Sequence, residues 1–390
     1  FLGKYGVKKI FDEKTAVYFM LFSLLMPSMC VQAGNARMYA MGLFFFTATG
    51  LLAWGILQES TGKKWILFCL CSVGSVYSHT FTMLQTFILY LILLGALLWR
   101  KKYALIKWYL GSGLAVAACY TVWLSVIYRQ MQTRISSAGG NEEQFIPNMY
   151  TLMDYCKEWF SAMDTPITLV IYLGMALTLF LGYYAVDSMR DSGCYVPAWG
   201  MAILGLTALA GGLLSYYVTP CFLGRYIFCG FGALALWYAV GMKRIASRGI
   251  KTAVMLAFLL CFVLQYRSEL GLEYDKGLQE YQRFYEDNVQ ADDLIMATDI
   301  HTLYLNIYHP ERQYMAYGYL PPFSPFRNTT VFTEWEQLAD VTGTIWLYAF
   351  ADRDLPGFGP YYNCEPAFQF HYMYYDFVIY RLVPADKNQI

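Results

Sequence analysis

A mainly α-helical transmembrane bundle followed by a small α/β domain is the fold class predicted by three observations. Hydrophobic residues make up 57% of the 390 positions, only 14% are charged, and mean hydropathy is +0.36. The apolar residues gather into successive, nearly uncharged runs approaching twenty residues, the length at which a helix crosses a hydrocarbon core. Beyond Tyr266 the composition changes to an ordinary soluble mixture. A water-soluble domain could bury many of these residues, but not run after run of such segments.

Charge is divided along the chain although it sums to zero. Residues 1 to 266 hold 20 Lys/Arg against 10 Asp/Glu, whereas residues 267 to 390 hold 8 against 18. A basic membrane half fits anchoring charges on the cytosolic side, and the acidic tail argues against nucleic acid as a partner. Of the ten cysteines, Cys69, Cys71, Cys119, Cys229 and Cys261 fall inside apolar runs, where they read as small buried hydrophobes rather than a disulfide framework.

The charged opening, Phe1 to Lys14, leads directly into a span without a signal peptide, so the chain reads as N-terminally incomplete. Nine apolar segments follow, at 16–33, 38–57, 65–78, 81–99, 108–128, 166–186, 196–219, 222–240 and 252–266. Backbone polar groups in lipid must be satisfied within the segment, so these are predicted helices, the third and last needing neighbouring residues or tilt to cross. With Lys4, Lys8, Lys9 and Lys14 placed in the cytosol and sides alternating, the cytosolic connections carry 15 basic residues and the opposite ones before residue 267 carry five. That bias matches the positive-inside rule and puts the C-terminal domain, residues 267–390, on the extracytoplasmic side of the plasma membrane.

The five outer bases include Arg37, within the polar break Gln32 to Tyr39, and Arg225, which opens the eighth span together with Tyr226. His79 sits in the outer turn between the third and fourth segments, and Tyr39 begins the second. A base at a span end must snorkel, pair or bind an anion, and two guanidinium groups on one side suit the phosphate of a lipid-linked substrate. The loop from Arg129 to Thr165, with Glu142, Glu143, Asp154, Lys157, Glu158 and Asp164, has helix-like spacing in its second half, which fits either an amphipathic helix on the membrane face or a segment packed against neighbouring spans.

In the tail, 271–288 has helical periodicity, and DLIMATD, TIWLYAF and FVIYRLV read as strands. His301 and His309 near Asp299 form too weak a pattern to require a metal, and a divalent ion is left open. Asn328-Thr329-Thr330 is a glycosylation acceptor triplet, and Gly230 and Gly232 read as packing glycines.

Four features together, CVQAGNARMYAM (Cys30 to Met41), YSHTFT (Tyr77 to Thr82), TPCFLGRYIF (Thr219 to Phe228) and the tail with DDLIMATD (Asp292 to Asp299), resemble the GT-C superfamily of polytopic glycosyltransferases. The branch they resemble is the bacterial one related to protein O-mannosyltransferases and the aminoarabinose transferase of lipid A. The resemblance implies a GT-C-like bundle of about nine helices in residues 1–266 that lacks the first two. It implies an inverting transferase of the cell envelope, moving a sugar from a polyprenyl-phosphate donor to a protein, lipid or glycan acceptor outside the cytosol. Arg37 and Arg225 would neutralise the leaving phosphate, with Tyr39, His79 and Tyr226 shaping the pocket. The general-base carboxylate of such enzymes would lie upstream of Phe1, and Asp12 and Glu13, on the cytosolic side, would not replace it. A ligase acting on a lipid-linked glycan would share the two arginines. A transporter fits less well, because no Asp, Glu, Lys or Arg falls well inside a span.

Overall fold

The computed structural model describes residues 1–29, 38–136, 168–217, 222–270, 274–297, 308–309, 311–317, 329–332, 344–351, 362–372 and 375–384. The chain divides into two compact units, Phe1–Glu269 and Leu270–Ile390.

Among the described residues, each of the nine apolar segments of the first unit contributes a helix: α1 (Glu13–Leu25), α2 (Tyr39–Gln58), α3 (Gly62–Ser78), α4 (Thr80–Trp99), α5 (Ile106–Ser136), α6 (Thr168–Ser192), α7 (Val196–Tyr217), α8 (Phe231–Arg244) and α9 (Arg248–Leu270). A short 3₁₀ segment, Gly224–Gly230, leads into α8. Seven of these helical stretches among the described residues are long and apolar enough to cross a membrane, α1 and α3 being shorter. The last segment, expected to be short, extends over 23 residues and needs no help to span. α5 likewise runs to Ser136, past the expected end near 128.

The first segment departs from expectation at Met26, whose backbone leaves the helix at φ −81°, ψ 114°. Pro27 is the reason, since its ring disfavours the helical conformation of the preceding residue. At its other end α1 is capped by Asp12, whose Oδ1 accepts the Thr15 N–H at 2.8 Å, an interaction worth about 1 kcal/mol.

α8 is the centre of the unit, with Phe231, Leu234, Ala235, Tyr238 and Met242 wholly buried. It packs on α6, α1, α7 and α2, and small residues set the spacing. A Cβ on Gly241 would lie 2.2 Å from the Leu181 carbonyl oxygen, and one on Gly232 would lie 1.9 Å from Thr47 Oγ1. Such approach is how apolar helices associate where lipid removes the hydrophobic drive.

Charges collect at one end of the bundle. Asp12, before α1, pairs with Lys243 at the end of α8, and Arg244 reaches Asp187 and Asp191 at the end of α6, both at 2.6 Å. Lys64 Nζ donates to the Glu59 carbonyl at 2.7 Å, and Lys102 Nζ to the Leu57 carbonyl at 2.6 Å. Exposed pairs of this kind contribute little to stability, but they bring to one end residues assigned from sequence to one side.

The second unit is a six-stranded mixed sheet in the order β3-β2-β1-β4-β6-β5, formed by β1 (Leu294–Ala297), β2 (Tyr314–Tyr317), β3 (Thr329–Phe332), β4 (Ile345–Phe350), β5 (Tyr362–Tyr372) and β6 (Tyr375–Pro384). β1, β2, β3 and β4 pair in parallel, while β4-β6 and β6-β5 are antiparallel. Alternate residues serve two cores: Ile295, Trp346, Tyr348 and Ile379 pack with Tyr281, Phe284 and Tyr285 of helix α10 (Tyr274–Asn288), while Met296, Leu347, Phe332 and Leu382 fill the opposite face. Burial on both faces is why β4 reads as an unbroken apolar run.

Candidate functional site

The site grows from a sharp reversal. α3 stops at Ser78, His79 is extended (φ −163°, ψ 147°), and α4 starts at Thr80. His79 caps α4 by accepting the Phe81 N–H on Nδ1 at 3.1 Å. Nδ1 is therefore an acceptor, and the neutral ring carries its proton on Nε2. This hydrogen bond fixes the ring in place over the end of the bundle.

Two other helix starts meet it there. The His79 and Tyr39 ring centroids are 5.7 Å apart, and those of His79 and Tyr226 are 4.7 Å apart. Phe81 stacks on Tyr226 at 5.2 Å and packs on Phe222 at 4.8 Å. Tyr39 is only 2% exposed, and its carbonyl accepts the Cys229 thiol at 3.8 Å. Gly42 makes that approach feasible, because a Cβ there would lie 2.5 Å from Cys229 Sγ. Beneath the rings, fully buried Gln85 donates from Nε2 to the Ile227 carbonyl at 3.2 Å and ties α4 to the 3₁₀ segment.

Arg225 is the charged member. Its guanidinium carbon lies 5.9 Å from the Tyr226 ring centroid, and its buried Nε has no hydrogen-bond partner among the described residues. No carboxylate among them pairs with it. Burial, reinforced by the Arg225 charge, pushes the His79 pKa down to about 4, so this interhelical histidine is neutral across physiological pH. The chemistry on offer is one guanidinium without a carboxylate among the described residues, a neutral imidazole N–H and tyrosine rings, a set suited to an anion carried on an apolar or ring-bearing body.

Of the five residues selected from sequence, Tyr39, His79, Arg225 and Tyr226 are brought together at one end of the bundle. Arg37 lies outside the described residues, as do Glu142, Glu143, Asp154, Lys157, Glu158 and Asp164 of the loop carrying the expected surface helix. Sequence reasoning passed over Phe81, Phe222 and Gln85. The first two fall inside the segments quoted for the resemblance, and Gln85 had a signal of its own, an amide within a strongly apolar helix. Asp12 and Glu13 are occupied elsewhere, Asp12 with Lys243 and Glu13 with Lys8 at 3.1 Å.

The tail histidines form no comparable site. His309 lies flat on Tyr285, with centroids 3.4 Å apart, while His301, Asp299 and Asn328 fall outside the described residues. Among the described residues, no three His, Cys, Asp or Glu side chains converge as metal ligands would. Compared with known proteins, the chain matches no protein-family model, no curated protein and no solved structure.

Proposed function

We propose that this multi-pass membrane protein binds the phosphate of a lipid-linked sugar at the Tyr39–His79–Arg225–Tyr226 cluster and takes part in sugar transfer from a polyprenyl-phosphate carrier. The observation that carries the reading is Arg225, whose buried Nε has no acceptor among the described residues. A guanidinium held in a partly desolvated place without a carboxylate is stabilised by an incoming anion, and a phosphate oxygen matches its fork.

In this reading Arg225 contacts the phosphate oxygens and stabilises negative charge as the sugar–oxygen bond breaks. His79, neutral and donating from Nε2, adds a hydrogen bond without adding charge. Tyr226 supplies a ring face and hydroxyl for the sugar and buried Tyr39 packs behind His79, while the carrier's isoprenoid chain follows the lipid-facing surface of the bundle. The step of sugar transfer itself, the inverting outcome and the extracytoplasmic acceptor rest on the GT-C resemblance of the sequence segments.

Equilibrium binding of polyprenyl phosphate to the purified, reconstituted chain tests the reading. Wild-type protein should bind it with Arg225→Ala weakened and Arg225→Lys intermediate. Equal binding by all three would remove the cluster as a phosphate site.

A further inference from the structure

The opposite end of the bundle holds a second opening, unrelated to the Arg225 cluster. A cavity of about 330 Å³ lies between the end of α2, the end of α4 and the start of α7, bounded by Trp54, Ala96, Trp99, Arg100, Tyr195 and Trp199. α2 carries Tyr39 at the first site and Trp54 at the second, so roughly 20 Å of helix separates them at about 1.5 Å per residue.

Three features of this cavity point to one class of ligand. It is open to lipid at the level where spans end: Trp99 is 89% exposed and Tyr195 45%, and such amphipathic rings sit at the headgroup boundary. Its floor is rigid and aromatic, with Trp54 and Trp199 edge to face at 5.6 Å. Among the described residues its one charge is Arg100, whose guanidinium carbon rests 4.8 Å from the Trp54 ring centroid. No acidic residue lines the opening, and no carboxylate among the described residues pairs with Arg100.

Of the bases at this end, Lys102 is on the Leu57 carbonyl and Lys64 on Glu59, and Arg100 is the one among the described residues that lines the opening. The wall of α4 is kept low by Gly95, where an added Cβ would meet nothing within 4 Å. An acyl chain can therefore descend from the headgroup without displacing a side chain.

We infer that this cavity is a binding site for an anionic phospholipid of the surrounding leaflet, its phosphate on Arg100 and its glycerol and upper acyl carbons against Trp54, Trp199 and Gly95. A basic opening between spans at the lysine- and arginine-rich end of a bundle is placed where anionic lipids are attracted. The occupant enters laterally from the bilayer, unlike a soluble anion.

The test uses the full chain in nanodiscs and the fluorescence of its tryptophans. Phosphatidylglycerol brominated on its acyl chains is titrated into phosphatidylcholine discs, and brominated phosphatidylcholine serves as the reference. Wild-type fluorescence should be quenched at a several-fold lower mole fraction of the anionic lipid. Arg100→Gln should bring that ratio to about one, and Gly95→Leu, whose Cβ enters open space and whose branch occupies the opening, should do the same with thermal unfolding unchanged. Equal quenching by both lipids in the wild type, a preference retained in both variants, or relief of the preference by millimolar inorganic phosphate would each overturn the assignment.

Discussion

The imidazole of His79 lies 4.7 Å from the ring of Tyr226, centroid to centroid, and joins the α3–α4 turn to the 3₁₀ entry of α8. Its pKa is held down to about 4, against an ordinary 6.5, by burial first and the Arg225 charge second. The native chain therefore refuses a proton that the unfolded chain accepts between those values. Stability is full above about pH 6.5 and is lost as pH falls towards 4. His79→Asn keeps an acceptor for the Phe81 N–H and removes the titration. The apparent melting temperature of the wild type should drop more steeply over this window than that of the variant. Parallel curves would exclude His79 as the source.

Arg225 acts through its charge and its fork. A charge-assisted hydrogen bond contributes roughly 1.5–3 kcal/mol, so Arg225→Ala should weaken polyprenyl phosphate binding by about 10- to 100-fold. Arg225→Lys keeps the charge and loses the bidentate geometry, and should recover part of the loss. Removing a half-buried cation that has no carboxylate among the described residues should not lower the melting temperature. A variant that loses binding and folding together would point to a structural role instead.

The helical bundle was legible because most of the apolar runs carry their own span-length signal, and among the described residues each of the nine runs contributes a helix. What sequence could not supply was the break at Met26 before Pro27 and the depth of packing at Gly241, since both depend on local sterics rather than hydropathy. In the tail, β1, β4 and β6 announced themselves as apolar runs. β5, with Glu365, Pro366, Gln369 and His371 along an edge strand, carries no such pattern and takes its place through pairing with β6. Tyr39, His79, Arg225 and Tyr226 were selectable as polar or aromatic residues at span ends on one side. Their ring-to-ring spacing follows from Gly42 and Gln85, whose roles are visible only across helices.

Gly241 offers a packing test that avoids the site. A methyl group at this position would lie 2.2 Å from the Leu181 carbonyl oxygen, and backbone cannot turn away as a side chain can. Gly241→Ala should destabilise the bundle by about 1–3 kcal/mol, an overpacking effect, by forcing α8 off α6. Gly205→Ala on α7 meets no atom within 4 Å and should stabilise by up to about 1 kcal/mol through helix propensity. Thermal unfolding of both variants in one detergent reads the contrast, and equal shifts would refute the α6–α8 contact.

Asp293 organises the start of the sheet in the second unit. Its Oδ1 accepts the Thr344 N–H at 2.9 Å, and its Oδ2 accepts the Gln290 N–H at 2.8 Å and the Trp346 indole N–H at 2.9 Å. These bonds tie the turn after α10 to the entry of β4, beside the parallel pairing of Leu294 with Ile345. Asp293→Ala leaves three donors without their acceptor, two of them partly buried, and should lower the stability of this unit by about 1–3 kcal/mol. Asp293→Asn retains an acceptor oxygen and should lose less. Amide exchange of the full chain is the measurement, with faster exchange expected across β1 and β4 and none in α8. Unchanged protection of β4 in the alanine variant would mean that strand pairing alone holds the junction.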